Sequence, residues 1–263
     1  MFRQFRVAAT GLNAIEKDLL TITNNVSNVE TVCFKKSRVE YENLFPQVLT
    51  QAINDNQNGQ PKPAGVEYGS GVRVVATPKD FSQGTITNTG RSLDVAVKGD
   101  GLFKVRLRDG TIAFTRSGNF NIDAEGRLVD ASGNFVDPDI SFPPSTTGIF
   151  INTDGTIFVE ENNQPARTEI GRIELVRFQN PSGLEGLGGN LFKATDAAGQ
   201  MVEGVPGQQG FGEIAQFSLE SSNVDIIDEL TRMIIIQRAF DIVSKSIQSG
   251  EAMLNSAVEI ARG

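Results

Sequence analysis

The sequence predicts an α+β protein, with a long helix at each end, the two pairing as a coiled coil, and a mainly antiparallel β middle. Three observations predict it. Apolar residues near the start (Phe2, Phe5, Ala9, Leu12, Ile15, Leu19, Ile22, Val26 and Val29) recur at spacings of three and four, and Ile226, Leu230, Met233, Ile236, Phe240, Val243, Ile247, Leu254 and Ala257 repeat the rhythm, missing one step at Gly250. That alternation is a coiled-coil seam. All 10 prolines lie between Pro46 and Pro206, and 24 of the 27 glycines between Gly59 and Gly212, so the helix breakers are confined to the middle. From Gly71 onward the apolar period changes to two, the spacing of a half-buried strand.

The first helix is expected over residues 3–29, where Asn24, Asn25, Ser27 and Asn28 offer the backbone competing hydrogen bonds and favour a break. Phe34–Pro46 reads as a short helix or an extended arm. A polar tongue follows over Gln47–Tyr68, with Pro61 and Pro63 to stiffen one limb. Val72, Val74 and Ala76 alternate along a strand, and Leu93–Lys98 forms another. Phe103, Val105 and Leu107 share one face of a strand that turns at Asp109-Gly110 into Ile112 and Phe114, a strong hairpin pattern. Asp154-Gly155 makes a second such turn between Ile149–Asn152 and Thr156–Val159. Ile173 and Leu175 line a further strand, and the glycine-rich stretches Gly183–Gly189 and Ala197–Gly212 serve as return loops. The closing helix is expected over 223–260, opened by a capping box of Ser222 and Asp225, with Asp228 and Glu229 placed well for the positive helix end.

Between Ile226 and Val243 apolar residues also occupy Ile227, Ile234, Ile235, Ala239 and Ile242. A stripe that wide needs several neighbours, and the chain supplies one comparable helix. Two such helices more than 190 residues apart in sequence are the plan of an assembly subunit. Residues 1–36 with 221–263 form the helical assembly domain, 37–75 with 207–220 a connector arm carrying the tongue, and 76–206 a β-rich outer domain.

Composition narrows the functions. The chain has no histidine, which removes the usual general base near neutral pH and every Ser-His-Asp arrangement. A single cysteine, Cys33, excludes an internal disulfide and zinc sites built on cysteine pairs. The net charge of −8 argues against nucleic acid, and its distribution is uneven: about +1 on residues 1–45, −2 on 222–263 and −7 between. Nearly neutral ends can pack against copies of themselves while an acidic middle stays solvated. No apolar run approaches the length of a membrane span, so no direct membrane insertion is expected. Arg3 and Arg6 precede only a short apolar stretch before Glu16, Lys17 and Asp18, so no cleaved signal is expected either. No cofactor, metal or catalytic site is predicted. Gly183–Gly189 has the glycine content of a phosphate loop but lacks the lysine and the helix start. Asp123, Glu125, Asp137, Asp139, Asp154, Glu160 and Glu161 offer carboxylate pairs for glycan hydrolysis, although several stand in turns, where Asp caps its own backbone. Arg116 reads as a surface charge.

Three blocks carry a family resemblance. Ala8-Ala9-Thr10-Gly11-Leu12, then Ile22-Thr23-Asn24-Asn25-Val26-Ser27-Asn28-Val29 and Phe34-Lys35-Lys36, resemble the start of the rod-and-hook proteins of bacterial flagella. Leu219-Glu220-Ser221-Ser222-Asn223-Val224-Asp225, with Met233 and Gln237-Arg238-Ala239-Phe240, resembles that family's closing helix. Asp94-Val95-Ala96-Val97, Gly99-Asp100-Gly101-Leu102-Phe103 and Phe114-Thr115-Arg116-Ser117-Gly118-Asn119-Phe120 are similar to its β domain. The blocks come in the family's order. The resemblance implies a homo-oligomer, a helical polymer whose paired terminal helices line an inner tube around an export channel, with the β domain outward. It implies proximal rod proteins, hook protein or hook junction, and surrounding ring (bushing) proteins as partners. It also implies a place in the basal body across the periplasm and type III export. A proximal rod or hook paralogue is the neighbouring reading; a secreted carboxylate glycan hydrolase dimerised by a coiled coil is the distant one. The candidate assembly interface comprises Leu12, Leu19, Ile22, Asn24, Asn25, Asn28, Asn223, Leu230, Met233, Ile236, Arg238, Phe240 and Val243, with a carboxylate of a neighbouring copy as the expected partner of Arg238. Cys33 departs from the family pattern, which carries glycine there, and glycine would permit a positive φ that cysteine accepts only at a cost.

Overall fold

The computed structural model describes residues 2–50, 65–161 and 166–262. Most of the tongue, residues 51–64, lies outside them. The fold is α+β with mainly antiparallel strands and one long helix at each end. The chain divides into two compact units, the first made of Met1–Ser27, Ser37–Pro78 and Asp225–Gly263, the second of Asn28–Lys36 and Lys79–Val224.

The first unit holds helix α1, Phe2–Ser27, and helix α2, Ile226–Arg262. They lie antiparallel: the Phe5 ring packs on Gly250 near one end, and Asn25 bonds Glu229 near the other. Gly250 is the missing step of the seam, and a Cβ there would stand 3.4 Å from the Phe5 ring. Ala14 and Ile22 are buried on α1. The asparagine-rich exit ends the helix at Ser27, where the Ser27 hydroxyl donates to the Thr23 carbonyl. The arm is extended: strand Glu40–Asn43 pairs with Val72–Ala76, and Gln47–Thr50 with Val66–Tyr68.

The start of α2 differs from the expected one. Asp225 itself is the cap, its Oδ1 accepting from the Ile227 and Asp228 amides. Ser222 instead accepts from the Val224 amide, and with Asn223 committed to other backbone groups, helix cannot begin at 223.

The second unit is built on a nine-stranded antiparallel sheet around strand Leu102–Arg106. Both Asp-Gly hairpins form: Leu102–Arg106 pairs with Ile112–Thr115, and Thr146–Ile151 with Thr156–Glu161. Gly155 has φ +82, and a side chain there would strike the Ile173 carbonyl at 2.4 Å, so this turn requires glycine. Phe103 and Val105 enter one core cluster, while Leu102 enters a second with Phe114, Val176 and Phe178, so the central strand is covered on both faces. Gly183–Gly189 is not the expected loop. Glu185–Gly188 is an edge strand paired with Leu191–Lys193, and the turn between them takes Gly188 and Gly189 at positive φ.

Candidate assembly surface and its internal supports

Among the predicted interface residues of α1, Ile22 is buried and Leu12 and Leu19 are half-buried. On α2, Met233, Ile236 and Val243 are half-buried, whereas Leu230 is 44% and Phe240 46% exposed, and Arg238 is exposed. Ile227, Ile234, Ile235 and Ile242 are exposed as well, so the described residues of the first unit leave much of the apolar circumference of α2 uncovered. Leucine and isoleucine at such exposure along one helix form a patch of the kind that marks a protein–protein surface.

Beneath this surface lies a polar cluster that joins the two helices to the arm. Asn25 is buried; its Nδ2 donates to the Ser37 carbonyl at 2.9 Å and to Glu229 Oε2 at 3.3 Å, and its Oδ1 accepts from the Ser37 amide at 3.0 Å. Glu229, also buried, has Arg232 beside it, and Arg232 reaches the Asp18 carboxylate at 3.5 Å. The Tyr41 hydroxyl donates to Asp18 at 2.7 Å. Burial, reinforced by that hydrogen bond, pushes the Tyr41 hydroxyl well above the ordinary phenol range, so it remains a donor. Asn25 thus meets the Ser37 backbone as a matched donor and acceptor. Asn24 is exposed on α1.

In the second unit, Asn28 accepts from the Thr31 hydroxyl at 3.1 Å. Asn223 plays the part that Asn25 plays in the first. Its Oδ1 accepts from the Lys36 amide at 2.8 Å and its Nδ2 donates to the Asp80 carbonyl at 2.8 Å, binding together three stretches of chain remote in sequence. Next to it stands an ionic triad absent from the predicted sites. Lys35 Nζ lies 2.6 Å from Glu220 Oε1, and Arg116 Nε 2.7 Å from Glu220 Oε2, with all three side chains buried. Arg116 is therefore not a surface charge. Its guanidinium also donates to the carbonyls of Val97, Gly99 and Gly101, while Lys35 donates to Ser82 O and the Gly84 amide donates to Glu220. Burial alone would raise the Glu220 carboxyl; the charges and hydrogen bonds of Arg116 and Lys35 outweigh it and hold the group below the ordinary glutamate range. The triad draws one charge from each of the three sequence blocks, which only the fold brings together. Lys35, Arg116 and Glu220 stand too far apart in sequence for any spacing to announce the pairing.

Cys33 adopts φ +57, the left-handed conformation that the family's glycine would take freely. Its amide donates to the Glu220 carbonyl at 2.9 Å and its Sγ lies 3.1 Å from the Arg116 carbonyl, so the turn is held by the same cluster. Burial and the neighbouring Glu220 charge push the thiol up to about 12. Iodoacetamide at pH 8 is expected to leave Cys33 unmodified in the native protein and to modify it fully in denaturant, as intact mass would report; rapid native labelling would contradict the closed turn.

Three of the carboxylates offered as a catalytic pair are engaged elsewhere. Asp123 accepts from the Arg127 amide and pairs with its guanidinium, Asp154 caps Thr156, and Asp137 pairs with Lys104 and Arg106. The carboxyls of Asp137 and Asp154 are lowered chiefly by their hydrogen bonds, from Lys104 and from the Thr156 amide, and Asp123 ends below the ordinary range because its bonds to Arg127 exceed the effect of burial. A glycosidase acid needs a raised value.

Two family models match this chain. Residues 96–159 match the flagellar hook protein FlgE/F/G D1 domain, and residues 215–260 the C-terminal region of the flagellar basal-body rod FlgEFG proteins. The flagellar basal-body rod protein FlgG of Borreliella burgdorferi is 41% identical over 264 residues, covering 100% of both chains. That of Buchnera aphidicola from Schizaphis graminum is 41% identical over 254 residues, 97% of this chain and 98% of the relative; that of Caulobacter vibrioides is 37% identical over 256, with the same coverage. The chain belongs to the flagellar rod and hook protein family. These full-length relatives make it a structural subunit of the flagellar basal-body rod.

Proposed function

We propose that the chain is the distal rod subunit, which polymerises into a rigid hollow drive shaft that carries torque from motor to hook and encloses the export channel. Its length and the segment Gly69–Gly84 (GSGVRVVATPKDFSQG) resemble the distal rod member of the family, against a proximal rod or hook paralogue as the second reading. In this role α1 and α2 pair as a coiled coil and form the inner tube, the extended arm surrounds them, and the acidic β domain faces outward. Proximal rod proteins, the hook or its junction, and the surrounding ring proteins are the neighbours. The subunit spans the periplasm as part of the basal body, is exported by the flagellar type III route with its N-terminal seam intact, and catalyses no reaction.

The exposed apolar circumference of α2 carries this reading, because a single chain holding Leu230, Ile234, Ile235 and Phe240 in water gains nothing from them. The full chain, sedimented at rising concentration and viewed in negative stain, is expected to pass from monomer to straight tubes. A species that stops at monomer or closed dimer at every concentration overturns it.

A further inference from the structure

Within the second unit a cleft of about 470 Å³, in the size range of small-ligand sites, opens between residues 81–83, 99–102 and 176–181. Leu102, Val176 and Phe178 on its walls belong to the second core cluster, with Phe81 packed against them, so the cleft runs along an apolar edge. Lys35 and Arg116 line it as well, and both are buried, which sets them at its inner end.

The charges at that inner end do not balance. Two buried cations share one buried carboxylate, Glu220, which leaves one positive charge in excess. Asp80, a half-buried carboxylate, accepts from the Ser82 amide, and Asp100 on the cleft wall is exposed. The donors do not balance either. Of the five guanidinium N–H groups of Arg116, four are matched, by Glu220 and by the Val97, Gly99 and Gly101 carbonyls. Of the three on Lys35 Nζ, two are matched, by Glu220 and the Ser82 carbonyl. One Nη1 hydrogen and one Nζ hydrogen thus have no acceptor among the described residues, in surroundings of low dielectric where an unmatched donor is costly.

We propose that the cleft binds a monocarboxylate carried on an aromatic or branched apolar group, its oxygens on the remaining Arg116 and Lys35 hydrogens and its apolar part along Phe81, Leu102 and Val176. One negative charge cancels the excess, and charge-assisted hydrogen bonds to a carboxylate are the strong ones. Sulfate or phosphate would bring a second charge and a larger hydration shell into a cleft walled by apolar side chains, which penalises them. The same chemistry is offered by a free organic acid and by an acidic side chain next to an apolar one on a neighbouring copy. The site lies apart from α1 and α2, and its binding test does not depend on the polymer reading.

Phenylacetate, with phenylacetamide as its uncharged counterpart, tests the site on the full chain kept below any concentration at which it assembles. Titration followed by amide NMR is expected to give saturable shifts at residues 81–83 and 99–102, with phenylacetamide binding at least about tenfold more weakly, the worth of one hydrogen bond to a charged group. Asp100→Ser, which removes an exposed like charge from the wall, should tighten phenylacetate about twofold or more and leave phenylacetamide unchanged. Equal affinity for the two compounds, shifts confined to other residues, an Asp100→Ser variant no tighter than wild type, or no binding by about 10 mM would overturn the proposal. Assembly then separates the two sources. Saturating phenylacetate that raises the critical concentration for tubes marks the natural carboxylate as a neighbouring copy's, and an unchanged critical concentration marks it as a free acid.

Discussion

Replacing Glu220 with alanine is expected to destabilise the protein by about 3–5 kcal/mol, because it leaves the charges of Lys35 and Arg116 buried without their counter-ion. It also orphans the Gly84 amide. Neither cation can reach water from its present place, since Lys35 is 2% and Arg116 6% exposed. Glu220→Gln keeps the shape and one acceptor but loses the charge, and should fall between alanine and wild type. Replacing all three by apolar residues should recover only part of the loss, because Arg116 also serves three backbone carbonyls that would then lack a donor. The pH dependence has a definite sign. Glu220 is held below its unfolded value of about 4.3, so its contribution is fully present above that value and disappears as pH falls through the folded one. Wild type should therefore lose stability below about pH 4 more steeply than Glu220→Gln. Urea unfolding of the three variants measures all of this, and an alanine variant within about 1 kcal/mol of wild type would show the triad to be dispensable.

What the sequence disclosed and what it withheld divide along physical lines. Both helices and both Asp-Gly hairpins follow from local rules of periodicity and turn chemistry, whereas the positive φ at Cys33 was suggested only by the glycine that the resemblance implies there. The start of α2 missed by a few residues for a local reason of its own, since Asp225 caps better than Ser222 once Asn223 is committed elsewhere. The ionic triad and the Asp18–Arg232–Glu229–Asn25 cluster were invisible because their members stand up to 214 residues apart, and a charged residue in isolation reads as solvated. Asn25 and Asn223 entered as interface candidates, and each also stands at the centre of bonds within its own unit. The polar residues of the resemblance blocks are, in these instances, internal fasteners, whereas the apolar α2 residues Leu230 and Phe240 remain open to a neighbour.

Leu230→Asp is expected to abolish tubes while leaving a folded monomer. The two effects separate because Leu230 is 44% exposed in the single chain, so an aspartate there stays hydrated and should alter monomer stability by no more than about 0.5 kcal/mol. Once a neighbour covers the position, the carboxylate loses its water and gains no cation unless one happens to face it. That desolvation costs several kcal/mol per charge, and since about 1.4 kcal/mol is tenfold in affinity, the critical concentration should rise more than about 100-fold. Leu230→Ala, which removes only apolar contact, should raise it far less. Sedimentation with circular dichroism distinguishes the cases: a folded monomer that no longer pellets is the expected result. Tubes from Leu230→Asp at wild-type concentrations would mean that this side of α2 stays in water in the polymer, and the inner-tube role of α2 would have to be abandoned.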